Sequence, residues 1–573
     1  MENNALYSYH VFLFPFQWQF AGKEMKNKTL EQRTCLKELI GLFADTKWKR
    51  GEYKTDTVLN YNEYNYFYGM VRDVLFDKGE DLEKAIVANL AYDIPPDSHS
   101  YNFKVCIDAY KNEYKSYSLH IDSILLHLYS TGVGVLSFHL NNRLEEQSQP
   151  DDILNINQVG RRLYPPFFGI DSSLVGSQAQ FECTDFAKGL DYVQTKELAV
   201  NISVISDTNF EDFSSYANPG NFSSNPFQIP QHISFLFQGI PLTVNKADFK
   251  ADDRKVYINP LIDDRMFVLC WYGNDEIVDR LELNDKAHGR DKDQKLIYLN
   301  DDWWYKFMFN DQKYSTCQNQ KMQQKFIYKH TYTRWSDLGT LYGINRYSFV
   351  CLTGSLENLK RYNAHFIVNH MQTMYYKLCE LCLVQRACLL RFSDEVAHIS
   401  KMKDDKKISL TDRVNNLYQQ YLRFVNRIHF REVTAQEQGI ELYNMLQEHM
   451  KIENNVKDLD REIQELHTYV SLIQDQKQNR NVELLTIIGA LFILPTFFIN
   501  FFGLIIMPQR GAFPMPQSIL LLLPLLIAPF IYFLIDQRRA KRWLIWLIVF
   551  TLFAILLVIG IMYLFEFTNF LNT

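Results

Sequence analysis

From Leu484 to Met507 the chain carries no charged side chain, and Asn500 is its single amide. The stretch is about 24 residues long, enough for a helix to cross a hydrocarbon core about 30 Å thick. A helix on the surface of a globular protein would show a polar face, and this one has none. The expectation is a membrane span, with everything before it a large body attached to that span. Two more apolar runs follow, so spans are expected at 484–507, 518–535 and 543–565. Arg538, Arg539, Lys541 and Arg542 cluster between the second and third runs, whereas the first loop holds only Arg510. Basic loops stay inside, which predicts a cytoplasmic body and an outside C-terminus. At about 18 residues the middle run also suits an interfacial or re-entrant segment.

The body reads as ordinary globular protein, because mean hydropathy over all 573 residues is −0.22 despite the apolar end. A net charge of −6 and a pI near 6.2 argue against a broad nucleic-acid surface. All nine cysteines precede the apolar end, at irregular spacing and in odd number, as expected of reduced thiols. Cys379 and Cys382 form a C-x-x-C inside a helical pattern with no second pair at zinc spacing, so buried helix cysteines are expected. The first residues form a short apolar run interrupted by Pro15, without a basic lead or a cleavage site; a strand is expected, not a signal peptide. Phosphate-binding loops, zinc-binding helices and nucleophile motifs are missing from the sequence, and His365 and His370 sit about 140° apart on a helix. The expectation is therefore no enzyme and no cofactor.

In chain order, His10 to Phe20 predicts a buried strand, and Thr29 caps a helix running to Trp48. A helix is expected around Leu82 to Leu90, a hairpin around Ser130-Thr131-Gly132, and a helix from Asp151 stopping at Pro165-Pro166. Strands are expected at HISFLFQGIPLTV, RMFVLCWYG and QKLIYLN, and a helix at DDWWYKFMF. Residues 1–355 thus form a mixed α and β domain, in one lobe or two. From Asn358 to Ile399 the pattern is continuous helix, and a second helical run begins near Leu410. From Leu442 to Ile473 apolar positions recur at alternating steps of three and four, a heptad seam that includes His449 as a packing residue. Residues 356–483 are then long helices and a stalk, continuous with a transmembrane region at 484–573.

This architecture resembles the CorA family of divalent-cation channels, and Leu485-Thr486-Ile487-Ile488, Phe492, Pro495-Thr496-Phe497 and Gly503 fall in register with that family's first membrane helix. Where the family has Gly-Met-Asn, this chain has Gly503, Leu504 and Ile505, which offer no oxygen to a hydrated divalent ion. The resemblance implies pore positions at Val482, Leu485, Ile493, Thr496, Gly503 and Ile505, and aliphatic rings there suit a gate that closes by dewetting. Lipid-facing or helix-packing roles for the same residues stay open. The segments YHVFLFPFQW, ILNINQVGRRLYPPF and RWSDLGTLYGINRYSFV are similar to the CorA-type effectors of type III CRISPR systems. That similarity implies a homo-oligomeric, pentameric channel of the cell inner membrane. Its trigger would be a nucleotide messenger, a conjugate of S-adenosylmethionine and AMP, and its action antiviral. The alternative is a transporter of Mg, Co, Ni or Zn with a diverged filter.

A nucleotide would need phosphate donors and a ring platform. Arg161, Arg162 and Tyr164 supply two guanidiniums and a ring, and Gly132 and Gly134 allow close backbone approach. Arg334, Trp335 and Asp337 form a second polar and aromatic group. A plain hairpin turn accounts equally for the glycines, and packing between lobes for the second group.

Overall fold

Fourteen residues near the N-terminus, the strand β1 (Ser8–Ala21), organise the fold. The structure, a computed structural model, describes residues 5–25, 28–94, 100–108, 113–163, 200–202, 229–244, 248, 252–263, 265–281, 297–401 and 410–506. The other strands are β2 (Trp48–Arg50), β3 (Val87–Tyr92), β4 (Ser100–Asp108), β5 (Glu113–Tyr129), β6 (Val133–Asn142), β7 (Val200–Ile202), β8 (Leu242–Thr243), β9 (Lys255–Pro260), β10 (Phe267–Gly273), β11 (Thr331–Tyr332), β12 (Leu341–Ile344) and β13 (Ser348–Thr353). They join one sheet whose main path is β11-β12-β13-β10-β1-β6-β5-β3-β2. β1 runs antiparallel to β6 along one edge and to β10 and then β9 along the other. The pairings β10–β13 and β8–β9 are parallel.

Successive side chains of a strand point to opposite faces. Phe12, Phe14, Phe16, Trp18 and Phe20 all fall on one face of β1 and join the main apolar core. Each such ring contributes about 1.5–3 kcal/mol when removed from water. That face is covered by α2 (Leu36–Leu42), α4 (Pro150–Gly160) and α5 (Asp302–Phe309), whereas α1 (Leu30–Arg33) turns Arg33 to Gln19 and Glu395 on the other side. A separate short helix, α3 (Val58–Tyr66), lies between α2 and α4 in sequence. The opposite face of β1 carries Tyr9, Val11, Leu13 and Gln17, and meets a 27-residue helix, α7 (Met374–Ser400), preceded by α6 (Phe366–Gln372). Beyond it come α8 (Leu410–Arg427), α9 (Glu437–Met450) and α10 (Ile452–Ile506).

Several expectations hold in detail. The β5–β6 hairpin turns at Ser130-Thr131-Gly132, Thr29 makes a capping box, and the Trp303-Trp304 segment is helical. Others fail for local reasons. The expected Thr29 to Trp48 helix is two short ones, α1 and α2, because it breaks at Thr34, whose hydroxyl turns back to the Leu30 carbonyl (3.0 Å). The expected helix around Leu82 to Leu90 gives way to β3, whose pairing with β5 overrides its helical pattern. Of QKLIYLN the described part, Ile297–Asn300, forms a 3₁₀ turn, and HISFLF forms a short helix, not strands. The long helix expected from Asn358 is divided at Asn363, which is left-handed, and at Thr373. Lys451, also left-handed, breaks the heptad seam between α9 and α10. Beyond the break Ile452, Leu459, Ile463 and Val470 remain buried, as the seam requires.

The chain divides into two compact units, Met1–His467 and Thr468–Thr573. The mixed α and β body stands, but the membrane region does not. Among the described residues no helix is long and apolar enough to cross a membrane. As far as Glu483 α10 is a polar rod, with Asp475, Arg480 and Glu483 exposed along it, and past Thr486 the burial of its side chains is described only at Gly489. This corrects the expected transmembrane region, the bilayer as partner, the homo-oligomeric membrane assembly and the multi-pass inner-membrane location. The expected spans at 518–535 and 543–565 lie outside the described residues.

Candidate ligand-binding site

Where α7 begins, the sheet and helix part to leave a cavity of about 540 Å³, within the usual range for small-molecule sites. Tyr9 of β1, His127 and Asp122 of β5, His139 of β6 and Asn89 of β3 line it from the sheet. Thr373, Tyr376 and Lys377 line it from the start of α7, and Leu59, Asn60 and Glu63 from α3. The last three share a helix face because residues three and four apart are neighbours. Thr57 caps α3, its hydroxyl accepting from the Asn60 amide (3.1 Å). The rim, residues 51–56, is fixed by Arg50, which grips Asp77 through two nitrogens at 2.6 and 2.8 Å. The Tyr53 amide donates to the Asp77 carbonyl (2.8 Å), which aims the Tyr53 ring inward.

The floor is a buried charge network. Lys377 Nζ lies 3.0 Å from Glu380 Oε2, and His127 Nδ1 meets Glu380 Oε1. Burial favours the protonated form of Glu380, but His127 and Lys377 outweigh it and hold the carboxyl below its ordinary range. Burial likewise pushes His127 down, so a neutral ring donates from Nδ1 to the carboxylate. Alongside, the Tyr376 and Ser137 hydroxyls pair at 3.2 Å. The Tyr9 hydroxyl sits 2.7 Å from His139 Nδ1. Burial, with Lys377 and His127 nearby, lowers His139 to about 3, so this ring is neutral too. Glu63 is pushed up by burial, against the pull of Lys377 and of the Tyr53 hydroxyl that donates to it (2.5 Å).

The residues singled out in the sequence lie elsewhere, and no described contact joins them into one site. Gly132 has φ +78°, and a Cβ there would lie 2.6 Å from Thr34 and 2.8 Å from the Arg391 guanidinium. A Cβ on Gly134 would strike the Phe16 ring. Both glycines serve close packing. Arg161 and Arg162 are buried at the end of α4, where Arg161 Nη2 donates to Gln158 (3.0 Å) and Arg162 bridges to Arg265. Burial, with Arg265 and Arg162 close by, lowers Arg161 to about 9. Tyr164 lies outside the described residues. Arg334 pairs with Glu441 of α9 at 2.5 Å, Trp335 Nε1 donates to Gln438 (3.0 Å), and the Ser336 hydroxyl donates to Asp337 (3.3 Å). His449 stacks on His330 at 4.0 Å as a packing residue. Val482 and Leu485 are exposed on α10; the side chains of Ile493, Thr496 and Ile505 lie outside the described ones, as does the surrounding of Gly503.

Sequence reasoning passed over Tyr9, Glu63, Asp122, His139 and Lys377. The available signal was polar residues on otherwise apolar elements. His127 and His139 flank the hairpin within near-continuous apolar strands, and Lys377 and Glu380 interrupt an apolar helix.

The family model described as CorA-like Mg2+ transporter protein matches residues 385–542, less than a third of the chain. No curated protein and no solved structure matches it. The match begins on α7 beyond the cavity and runs past the described part of α10. With no membrane-crossing helix among the described residues, this partial similarity does not carry a CorA channel or a type III CRISPR effector. The messenger-gated antiviral channel and the divalent-cation transporter are both corrected on that ground, and the pore positions lose their premise.

Proposed function

We propose that the unit Met1–His467 is a small-molecule-binding module whose ligand seats in the cavity against α7, and that it binds without catalysing a reaction. The observation that carries this reading is the cavity itself, about 540 Å³ with Tyr9, Glu63, Asp122, His127, Tyr376 and Lys377 in its walls. A concave space of this size with a few polar groups converging on it suits a small-molecule ligand. Binding is favoured over catalysis because the floor groups are committed. Glu380 is held by Lys377 and His127, and His139 titrates near about 3, far from a base poised at neutral pH. A ligand in this place also touches α7, which is tied at Gln385 to Tyr443 (3.0 Å) and Gln447 (2.8 Å) of α9.

The test is thermal unfolding of the full chain against a panel of amines, amino acids, nucleosides, sugars and dicarboxylates. At least one compound should raise the melting point saturably. Ala91 is exposed on the cavity wall, so Ala91→Trp should block that response while the chain stays folded. A panel without any response, or one to which the Ala91→Trp chain responds equally, counts against the reading.

A further inference from the structure

The break between α9 and α10 carries a pair of rings. His449 lies in the last turn of α9, two residues before the left-handed Lys451 that ends it. Its ring stacks on that of His330, the last residue of the helix Gln320–His330, with centroids 4.0 Å apart and planes 20° from parallel. The stack joins two helices that are far apart in sequence.

The surroundings suit two neutral rings. A carbonyl only accepts, so His330 Nδ1 donates to the Ile344 oxygen of β12 (2.6 Å) and carries the proton of a neutral imidazole. Phe309 of α5 and Phe326 flank the same ring at 5.1 and 6.4 Å. His449 is buried, and Arg346, on the turn between β12 and β13, directs its Nε to the His449 carbonyl (3.5 Å). The charged side chains acting on both rings are Lys329 and Glu448. These two pair with each other at 3.0 Å, so Glu448 is engaged and not free to answer a charge on the stack. Across the break Glu453 of α10 is engaged as well, by His429 at 3.2 Å.

A proton on one ring therefore makes a cation with little water around it, and protons on both set like charges face to face. The C-terminal end of α9 favours a cation at His449. Burial and the facing His330 outweigh that and lower His449 to about 4. Burial lowers His330 too.

We propose that the His330–His449 stack is a proton-released latch, closed while both rings are neutral and opening on acidification, so that the last turn of α9 comes away from the helix Gln320–His330. Gln447 sets the limit of the opening, because its amide donates to Gln385 of α7 (2.8 Å) and to Tyr443 (2.5 Å). Freed rings protonate near about 6.5, and stacked ones only at lower pH. The closed form is thus fully favoured above about pH 6.5 and loses ground below it, by about twentyfold between pH 7 and pH 5 for a single freed ring.

Hydrogen exchange of the full chain, read by mass spectrometry and corrected for the intrinsic effect of pH, tests this on a peptide covering 446–456. Its protection should fall at least about twentyfold from pH 7 to pH 5, and should stay below that of β1 at both values, which makes the opening local. His449→Phe keeps a ring in the stack that takes no proton, and should shrink the fall about tenfold. Ring resonances of the unaltered chain give a second reading, in which both histidines should titrate below about 6.5. The latch is overturned by a junction as well protected as β1, by equal falls in the unaltered chain and His449→Phe, or by either ring titrating at the ordinary histidine value.

Discussion

One helix, α7, presses two buried charge networks onto the same face of the sheet, and they end differently. Near its start Lys377 and Glu380 meet His127 beside a cavity. About three to four turns later Arg391 Nη1 donates to Gln17 of β1 (3.2 Å), while Arg33 of α1 bridges Glu395 (2.7 Å) and Gln19 (3.0 Å). Among the described residues both networks leave nitrogens unpartnered: His139 Nε2 beside the first, Arg33 Nε and Arg391 Nε in the second. The second is packed hard, with the Gly132 turn against the Arg391 guanidinium. An orphaned donor is therefore a weak signal by itself. Space beside it is what makes it a site.

Breaking each network measures how much charge each one buries. Glu380→Ala leaves the Lys377 ammonium buried without a partner, which should cost about 3–5 kcal/mol in urea unfolding of the full chain. Glu395→Ala removes the partner of Arg33 at a site where the carboxylate side chain keeps 15% exposure. Water can take its place, so about 1–3 kcal/mol is expected. Equal costs for the two variants would remove the distinction between them.

Gly132→Ala probes the packed end. The backbone angle is left-handed and the new methyl meets Thr34 and Arg391, so a loss of about 1–3 kcal/mol in the same assay is expected. A neutral result would show slack where the packing is described as tight.

The smallest effect is on pH dependence. His139 is lowered to about 3, His10 to about 4 and His449 to about 4, burial being the first cause in each. All three stay neutral in the fold, while the unfolded chain protonates them near about 6.5. Stability is therefore complete above that value. It falls as pH drops below it, by about 1.4 kcal/mol per pH unit for each histidine, until the folded value is reached. His139→Asn should relieve about 1 kcal/mol of the loss between pH 7 and about pH 5.5. Denaturation midpoints at the two pH values check this, and unchanged pH dependence in the variant would place His139 in water.

Much of the fold was legible because it rests on local pattern. The aromatic alternation of β1, the turn at Gly132 and the cap at Thr29 each follow from chemistry within a few residues. Failures came where distant partners decide. β3 is a strand because β5 lies beside it, and the break at Lys451 is a single left-handed residue in a seam that reads as unbroken. The apolar stretch from Leu484 was read through its composition and a local resemblance, and drew a membrane function with it, which the described structure does not support. The cavity was illegible for another reason. Tyr9, Asp122, His139 and Lys377 are scattered over nearly four hundred positions, and only the antiparallel pairing of β1 with β6, and the helix laid across them, brings them together.

The place of β1 at the middle of the sheet also sets a schedule for synthesis. Val11 pairs with His139 on one side and with Leu269 on the other. A ribosome adding about 5–20 residues per second completes β10 roughly 13–50 s after β1 has been made. Through that interval a strand of phenylalanines and tryptophan has an unpaired edge and an uncovered face. The nascent chain is therefore expected to need cover for β1 until β10 is made, and its yield in a foreign host should follow chaperone supply more closely than the stability of the finished fold.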